Sequence, residues 1–65
     1  MSKALRQKAL IDLITKNDVA TQQELQDKLR DAGFETTQAT ISRDIKELSL
    51  IKTVSSEGVY KYDIP

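Results

Sequence analysis

The sequence predicts a mainly α-helical domain of three helices followed by a small two-stranded antiparallel β-hairpin. Three observations predict it. Apolar residues recur at helical spacing in three successive segments up to Leu50, and Gly33 stands between the second and the third. After Leu50 the pattern changes to alternation in β-branched and aromatic runs. At 65 residues the chain, 1–65, is read as one domain. A chain of this size buries only about 60% of the surface its unfolded form exposes, and its core supplies roughly 3–5 kcal/mol unless it is stapled. With no Cys and no His, neither a disulfide nor a structural zinc site is on offer, so helix packing must carry the fold.

The first helix is expected from Ser2 to about Asn17. Leu10, Leu13 and Ile14 fall on one stripe with Ile11 at its margin, Lys8, Asp12 and Lys16 lie on the other side, and Ser2 can serve as N-cap. "TQQE" at 21–24 has the form of a capping box: the Thr21 hydroxyl can take the amide of Glu24, and the Glu24 carboxylate that of Thr21. A second helix starts there and carries Leu25, Leu29 and Ala32 at i, i+4, i+7. Gly33 follows where a left-handed residue ends a helix, so this helix is expected to stop at about Ala32, with Phe34 folding back onto Leu29.

The third helix begins after Thr37, or after Thr36, with Thr37 the better placed cap, and Ile41, Ile45 and Leu48 repeat the spacing of the second. Two helices joined by a Gly-containing turn form a helix-turn-helix pattern. Leu50 to Val54 and Val59 to Asp63 then read as a hairpin around the four-residue loop "SSEG". In that register Thr53 faces Tyr60, Ile51 faces Tyr62, and Lys52 sits opposite Lys61. Like charges so placed cost a few tenths of a kcal/mol, a cost removed either by both stems splaying into water or by an anion visiting the hairpin.

The third helix carries the most informative face. With Ile41 set at 0° and a step of about 100° per residue, Ile45 falls at about 40° and Leu48 at about 340°. Arg43 then falls at about 200°, Ala39 at about 160° and Lys46 at about 140°, away from the core, with Ser42 and Thr40 flanking them. Gln38 lies one turn nearer the N-terminus. A merely solvated face favours strong helix formers; Ser and Thr are poor ones. Small residues instead let a helix approach a surface closely. Arg can bond bidentately to guanine, Gln to adenine, Ser or Thr to bases or phosphates, and Ala or a Thr methyl can meet a thymine methyl. The N-terminal part of the second helix of a helix-turn-helix is the part that reads bases in the major groove.

Lys plus Arg and Asp plus Glu both number 10, so net charge alone points to no polyanionic partner. The distribution does more: Lys3, Arg6, Lys8 and Lys16 stand against Asp12 near the start, whereas Asp18, Glu24, Asp27, Asp31 and Glu35 stand against Lys28 and Arg30 in the middle. The lack of Cys suits a reducing cytoplasm, and no apolar run approaches the ~20 residues that span a bilayer. Asp44 and Glu47, at i, i+3, are the nearest approach to a general acid/base pair. Without His, Cys or a Gly-rich phosphate loop they are expected to screen neighbouring cations such as Lys46 or to restrict which phosphates approach, and no enzymatic activity or catalytic residue is assigned.

Over essentially its whole length, from "ALRQKALIDLITKNDVATQQEL" through "TQATISRDIKEL" to "YKYDIP", the sequence resembles the N-terminal DNA-binding domain of the arginine repressor family. The resemblance implies a winged helix-turn-helix whose third helix enters the major groove and whose hairpin wing reaches the neighbouring backbone or minor groove. It implies that Ser42 and Arg43 are central to operator recognition, with Gln38 at the helix start. It also implies a longer cytoplasmic protein whose C-terminal domain, absent from these residues, binds L-arginine as co-repressor and assembles hexamers. This chain itself is then expected to hold no cofactor or metal and to be a monomer or weak dimer on palindromic double-stranded DNA.

The site expected from residues and resemblance together comprises Gln38, Ala39, Thr40, Ser42, Arg43 and Lys46 toward the DNA. Thr21, Gln22 and Gln23 at the second helix start, with Lys52 and Lys61 on the wing, are expected to serve phosphates. The alternative is a winged-helix protein–protein interaction module, which needs an exposed apolar patch that the outward side of the third helix, with Ala39 alone, does not offer. RNA binding calls for aromatic stacking platforms, and Phe34, Tyr60 and Tyr62 are expected in the core instead.

Overall fold

The computed structural model describes residues 2–65, which form α1 (Lys3–Lys16), α2 (Gln22–Asp31), α3 (Gln38–Glu47), β1 (Ile51–Val54) and β2 (Tyr60–Asp63). Three helices and a two-stranded antiparallel sheet make a winged helix-turn-helix. Each helix starts on the cap its sequence offers. Ser2 accepts the amide of Leu5, Thr21 that of Glu24 at 3.1 Å, and Thr37 that of Thr40 at 3.2 Å. At α2 only half of the capping box closes: the Glu24 carboxylate takes the Thr21 hydroxyl, at 3.4 Å, rather than its amide.

Helix α2 ends as Gly33 requires. With φ of 94° at Gly33, the Gly33 amide reaches the Arg30 carbonyl and the Phe34 amide reaches that of Leu29, the paired bonds of a Schellman end. That fold-back brings Phe34 against the core, while Ala32, assigned to the buried stripe by its spacing, leaves the helix and is exposed. Helix α3 ends by the same bonds, Ser49 to Lys46 and Leu50 to Ile45, but its left-handed residue is Ser49, with φ of 55°.

The core holds Leu10, Ile14, Val19, Leu25, Leu29, Ile41 and Tyr62, ringed by Ala9, Leu13, Phe34, Ile45, Leu48 and Leu50. Helix α2 is the centrepiece, packing against both α1 and α3. The hairpin is tied to this body by the Tyr62 amide, which donates to the Val19 carbonyl at 2.8 Å.

The hairpin pairs one residue out of the expected register: Ile51 faces Asp63, Lys52 faces Tyr62, Thr53 faces Lys61 and Val54 faces Tyr60. Ser55 causes the slip. Its hydroxyl accepts the amides of Glu57 and Val59, its amide reaches the Val59 carbonyl at 2.9 Å, and its carbonyl takes the amide of Gly58, left-handed at φ 81°. This closure draws Val59 into the loop, and a one-residue slip exchanges the faces of every side chain on that strand relative to the other. Lys52 therefore meets not Lys61 but the ring of Tyr62, its ammonium 4.9 Å from the ring centre, and the expected like-charge clash is absent. Tyr60, expected in the core, is 62% exposed, because it lies two residues beyond the Tyr62 anchor toward the wing tip.

Among the described residues no helix is long and apolar enough to cross a membrane. Ser49 provides a test of local strain. A left-handed non-glycine residue costs about 1–2 kcal/mol, offset in part by the greater backbone freedom glycine has in the unfolded chain. Ser49→Gly is expected to stabilise the domain by about 0.5 kcal/mol and Ser49→Val to destabilise it by about 1 kcal/mol or more, read from urea or thermal unfolding.

Candidate nucleic-acid interface

Helix α3 divides as its spacing predicts. Ile41 is buried, Gln38, Ala39, Arg43 and Lys46 are exposed, and Thr40 and Ser42 sit half-buried at the edges. The Thr40 hydroxyl accepts from the Thr37 hydroxyl at 3.1 Å and so keeps its own proton for another acceptor. The outward face is therefore built of one amide, one guanidinium, one ammonium and small side chains, with no bulky apolar group to hold a groove wall away.

Asp44 overturns its expected role. It is not an outward screen for Lys46 but is 1% exposed, clasped by Arg6 of α1 through Nε at 2.6 Å and Nη2 at 2.8 Å, and it also accepts from Gln7 Nε2 at 3.0 Å. The two-pronged guanidinium matches both carboxylate oxygens, which is the geometry that makes such a bond strong. Glu47, one turn on, accepts from Gln7 at 2.8 Å and pairs with Lys3 at 2.7 Å. The bond to Arg6 holds the Asp44 carboxyl below its ordinary range against the opposing effect of burial, and Arg6 in turn is raised by Asp44. Lys3, then Gln7, lower Glu47 in the same way.

This clamp shapes the interface electrically. Both carboxylates of α3 are engaged by α1, so neither screens the outward cations. Arg43, Lys46 and Lys52 enter no salt bridge among the described residues, whereas Arg30 pairs with Asp27 at 3.5 Å and Lys61 with Asp18 at 3.6 Å. Lys61 is half-buried and Lys52 exposed, so the two wing lysines, on opposite faces of the hairpin, are not equivalent.

The start of α2 and the start of α3 come together. Gln38 Nε2 donates to Gln23 Oε1 at 2.6 Å, and Gln23 Nε2 donates to Asp27 Oδ1 at 3.0 Å. Thr21 and Gln23 are exposed and Gln22 half-buried, beside the Glu24 carboxylate that the Thr21 hydroxyl holds. Arg6, Gln7 and Lys3 were not foreseen. The signal was present in the angles, since Asp44 falls at about 300° on the α3 wheel, close to the buried side.

Comparison with known proteins gives a consistent picture. Residues 1–65 match the family model described as arginine repressor, DNA binding domain. The chain is 51% identical over 65 residues to the arginine repressor of Geobacillus stearothermophilus, covering 100% of this chain and 44% of that protein. Against the arginine repressor of Alkaliphilus oremlandii it is 53% identical over 60 residues, 92% of this chain and 40% of that one. Against that of Bacillus subtilis it is 48% identical over 65 residues, 100% and 44%. The chain thus spans less than half the length of these curated relatives.

The clamp makes the domain sensitive to acid. Folded Asp44 releases its proton more readily than the unfolded side chain, whose ordinary value is 3.8, so in acid the unfolded chain binds more protons and stability falls with pH. The Asp44 contribution is full above that value and is lost as pH drops through the lower folded one. Asp44→Ala, which strands the Arg6 guanidinium, is expected to cost about 3 kcal/mol at neutral pH and to flatten the acid limb of the stability profile, read from urea unfolding between pH 2 and pH 7.

Proposed function

The chain belongs to the arginine repressor family, as its DNA-binding domain, and on that premise we propose that it reads palindromic double-stranded operator DNA within an arginine-responsive transcriptional regulator. The observation that carries the reading is the exposed face of α3, where Gln38, Ala39, Arg43 and Lys46 stand outward while both carboxylates of the helix are bound by α1. Arg43 and Ser42 are the main base readers, assisted by Gln38, Thr40 and Ala39. Lys46 and Lys52 serve phosphates, and the first turn of α2, Thr21 to Gln23, offers amides and a positive dipole end to another. Lys61 joins them only where a phosphate displaces Asp18.

In the whole protein this domain represses arginine biosynthesis genes, acting in the cytoplasm. L-arginine is the co-repressor, bound by a separate C-terminal domain that assembles a homohexamer. Assembly suits the electrostatics. A domain of zero net charge binds DNA weakly alone, and linking copies raises avidity by roughly 10²–10⁴ without new contacts.

One observation favours the competing reading of a protein-docking module: Val54 and Tyr60, cross-strand partners, are both exposed on the wing, and Val59 beside them is exposed as well. An amide-shift titration with operator duplex, scrambled duplex and single strand separates the readings. Shifts centred on α3 with operator duplex support DNA reading, and no response to any nucleic acid supports docking.

Two substitutions then divide the interface by role. Arg43→Ala is expected to cost about 1–3 kcal/mol on operator DNA and to flatten the preference at one base position, and equal affinity of variant and parent across a base-substitution series would remove Arg43 from the reading set. Lys46→Ala is expected to weaken binding evenly over sequences and to make the salt dependence shallower by about one unit of slope, measured by anisotropy at several salt concentrations.

A further inference from the structure

We propose that Asp27, Gln23 and Gln38 form a relay that fixes the amide of Gln38 for reading one base, with Gln23 and Asp27 as positioning residues for sequence preference. The inference rests on the DNA-reading role proposed above and extends it to two residues of α2, neither of which needs to touch a base.

The direction of the relay follows from donor and acceptor chemistry. An ionised carboxylate can only accept, so Asp27 turns the NH2 of Gln23 toward itself, at 3.0 Å. The carbonyl of Gln23 must then face the other way, where it accepts from Gln38 Nε2 at 2.6 Å. Gln38 is left with its carbonyl oxygen and a second N–H, the acceptor and donor that adenine N6 and N7 require. Arg30 at 3.5 Å anchors the far end of the chain at Asp27.

Geometry gives the relay its use. Gln23 and Gln38 are both exposed and belong to different helices, each in the first turn, so the bond between them spans the junction of α2 and α3. An unrestrained Gln38 would lose rotamer freedom on meeting a base and could present its amide either way round, accepting where it should donate. The relay removes both faults before DNA arrives, and the Gln23–Asp27 bond, at i, i+4 along one face of α2, is a stable local element.

The test is enrichment of a randomised duplex pool by this chain, with base-preference profiles then measured for the parent and for Gln38→Ala, Gln23→Ala and Asp27→Asn. Asp27→Asn is near isosteric and keeps a side chain that can face Gln23 either way round. Gln38→Ala is expected to flatten one position of the profile, and Gln23→Ala and Asp27→Asn to lower the preference at that same position by about threefold or more, leaving the positions lost in Arg43→Ala unchanged. An unaltered profile in both α2 variants, or in Gln38→Ala, would overturn the relay while leaving DNA reading intact. So would a loss of affinity spread evenly over all sequences, which surface packing alone produces. A parent profile flat at every position would overturn the DNA-reading role itself, and the relay with it.

Discussion

The clasp of the Arg6 guanidinium on Asp44 is the interaction on which the placement of α3 depends. Helix α2 packs against both other helices, while α1 and α3 meet chiefly through long side chains. The seam from Ile41 into Leu25 and Leu29 fixes how far α3 stands from α2, but a narrow apolar stripe lets a helix roll. Arg6 bonding both oxygens of Asp44, with Gln7 bridging to Glu47, removes that freedom at a second point. Burying such a pair adds little net stability over an apolar contact of equal volume. Its value in this fold is orientation, together with the clearing of negative charge from the face opposite.

Orientation of the wing rests on a comparable device. The Tyr62 side chain enters the core, its amide reaches the Val19 carbonyl, and its ring carries Lys52, so one residue sets depth, direction and the position of a cation. The paired terminal bonds at Gly33 and Ser49 do the same for the ends of α2 and α3, turning the chain sharply and returning Phe34 and Leu50 to the core rim. A domain of 65 residues has few contacts to spare, and here the chain reversals supply core residues as well as direction.

Much of this was legible from residue types alone. Three side-chain caps, the glycine stop after α2 and the outward set on α3 each follow from a local rule acting within a few residues, and each is found in place. What was not legible depended on distant partners or on competing local bonds. Asp44 looks like a surface carboxylate until Arg6, 38 positions away, is brought beside it. The Gln23–Gln38 bond needs the angle between two helices, and Val19, between α1 and α2, lies in the core where its carbonyl takes the Tyr62 amide of the hairpin. The hairpin slip was local yet hidden, since Ser55 can end a strand or open a turn and only its two accepted amides decide which.

A neutral domain on a polyanion raises a question of magnitudes. Binding strength follows the number of phosphates neutralised, not net charge, and each costs affinity as salt rises. Internal pairing engages Lys3, Arg6, Arg30 and Lys61; of the cations left, Arg43 and Lys46 stand on α3 and Lys52 on the wing, while Lys8, Lys16 and Lys28 lie on the other two helices. Few phosphate contacts make sequence-independent binding weak, so the contacts to base edges form a larger share of the total. Phosphate contacts strengthen right and wrong sites alike, so their scarcity lowers strength and leaves untouched the discrimination that base contacts supply. On the reading proposed above, linked copies would recover strength, and because each copy adds its own base contacts they would also widen the gap between right and wrong sites.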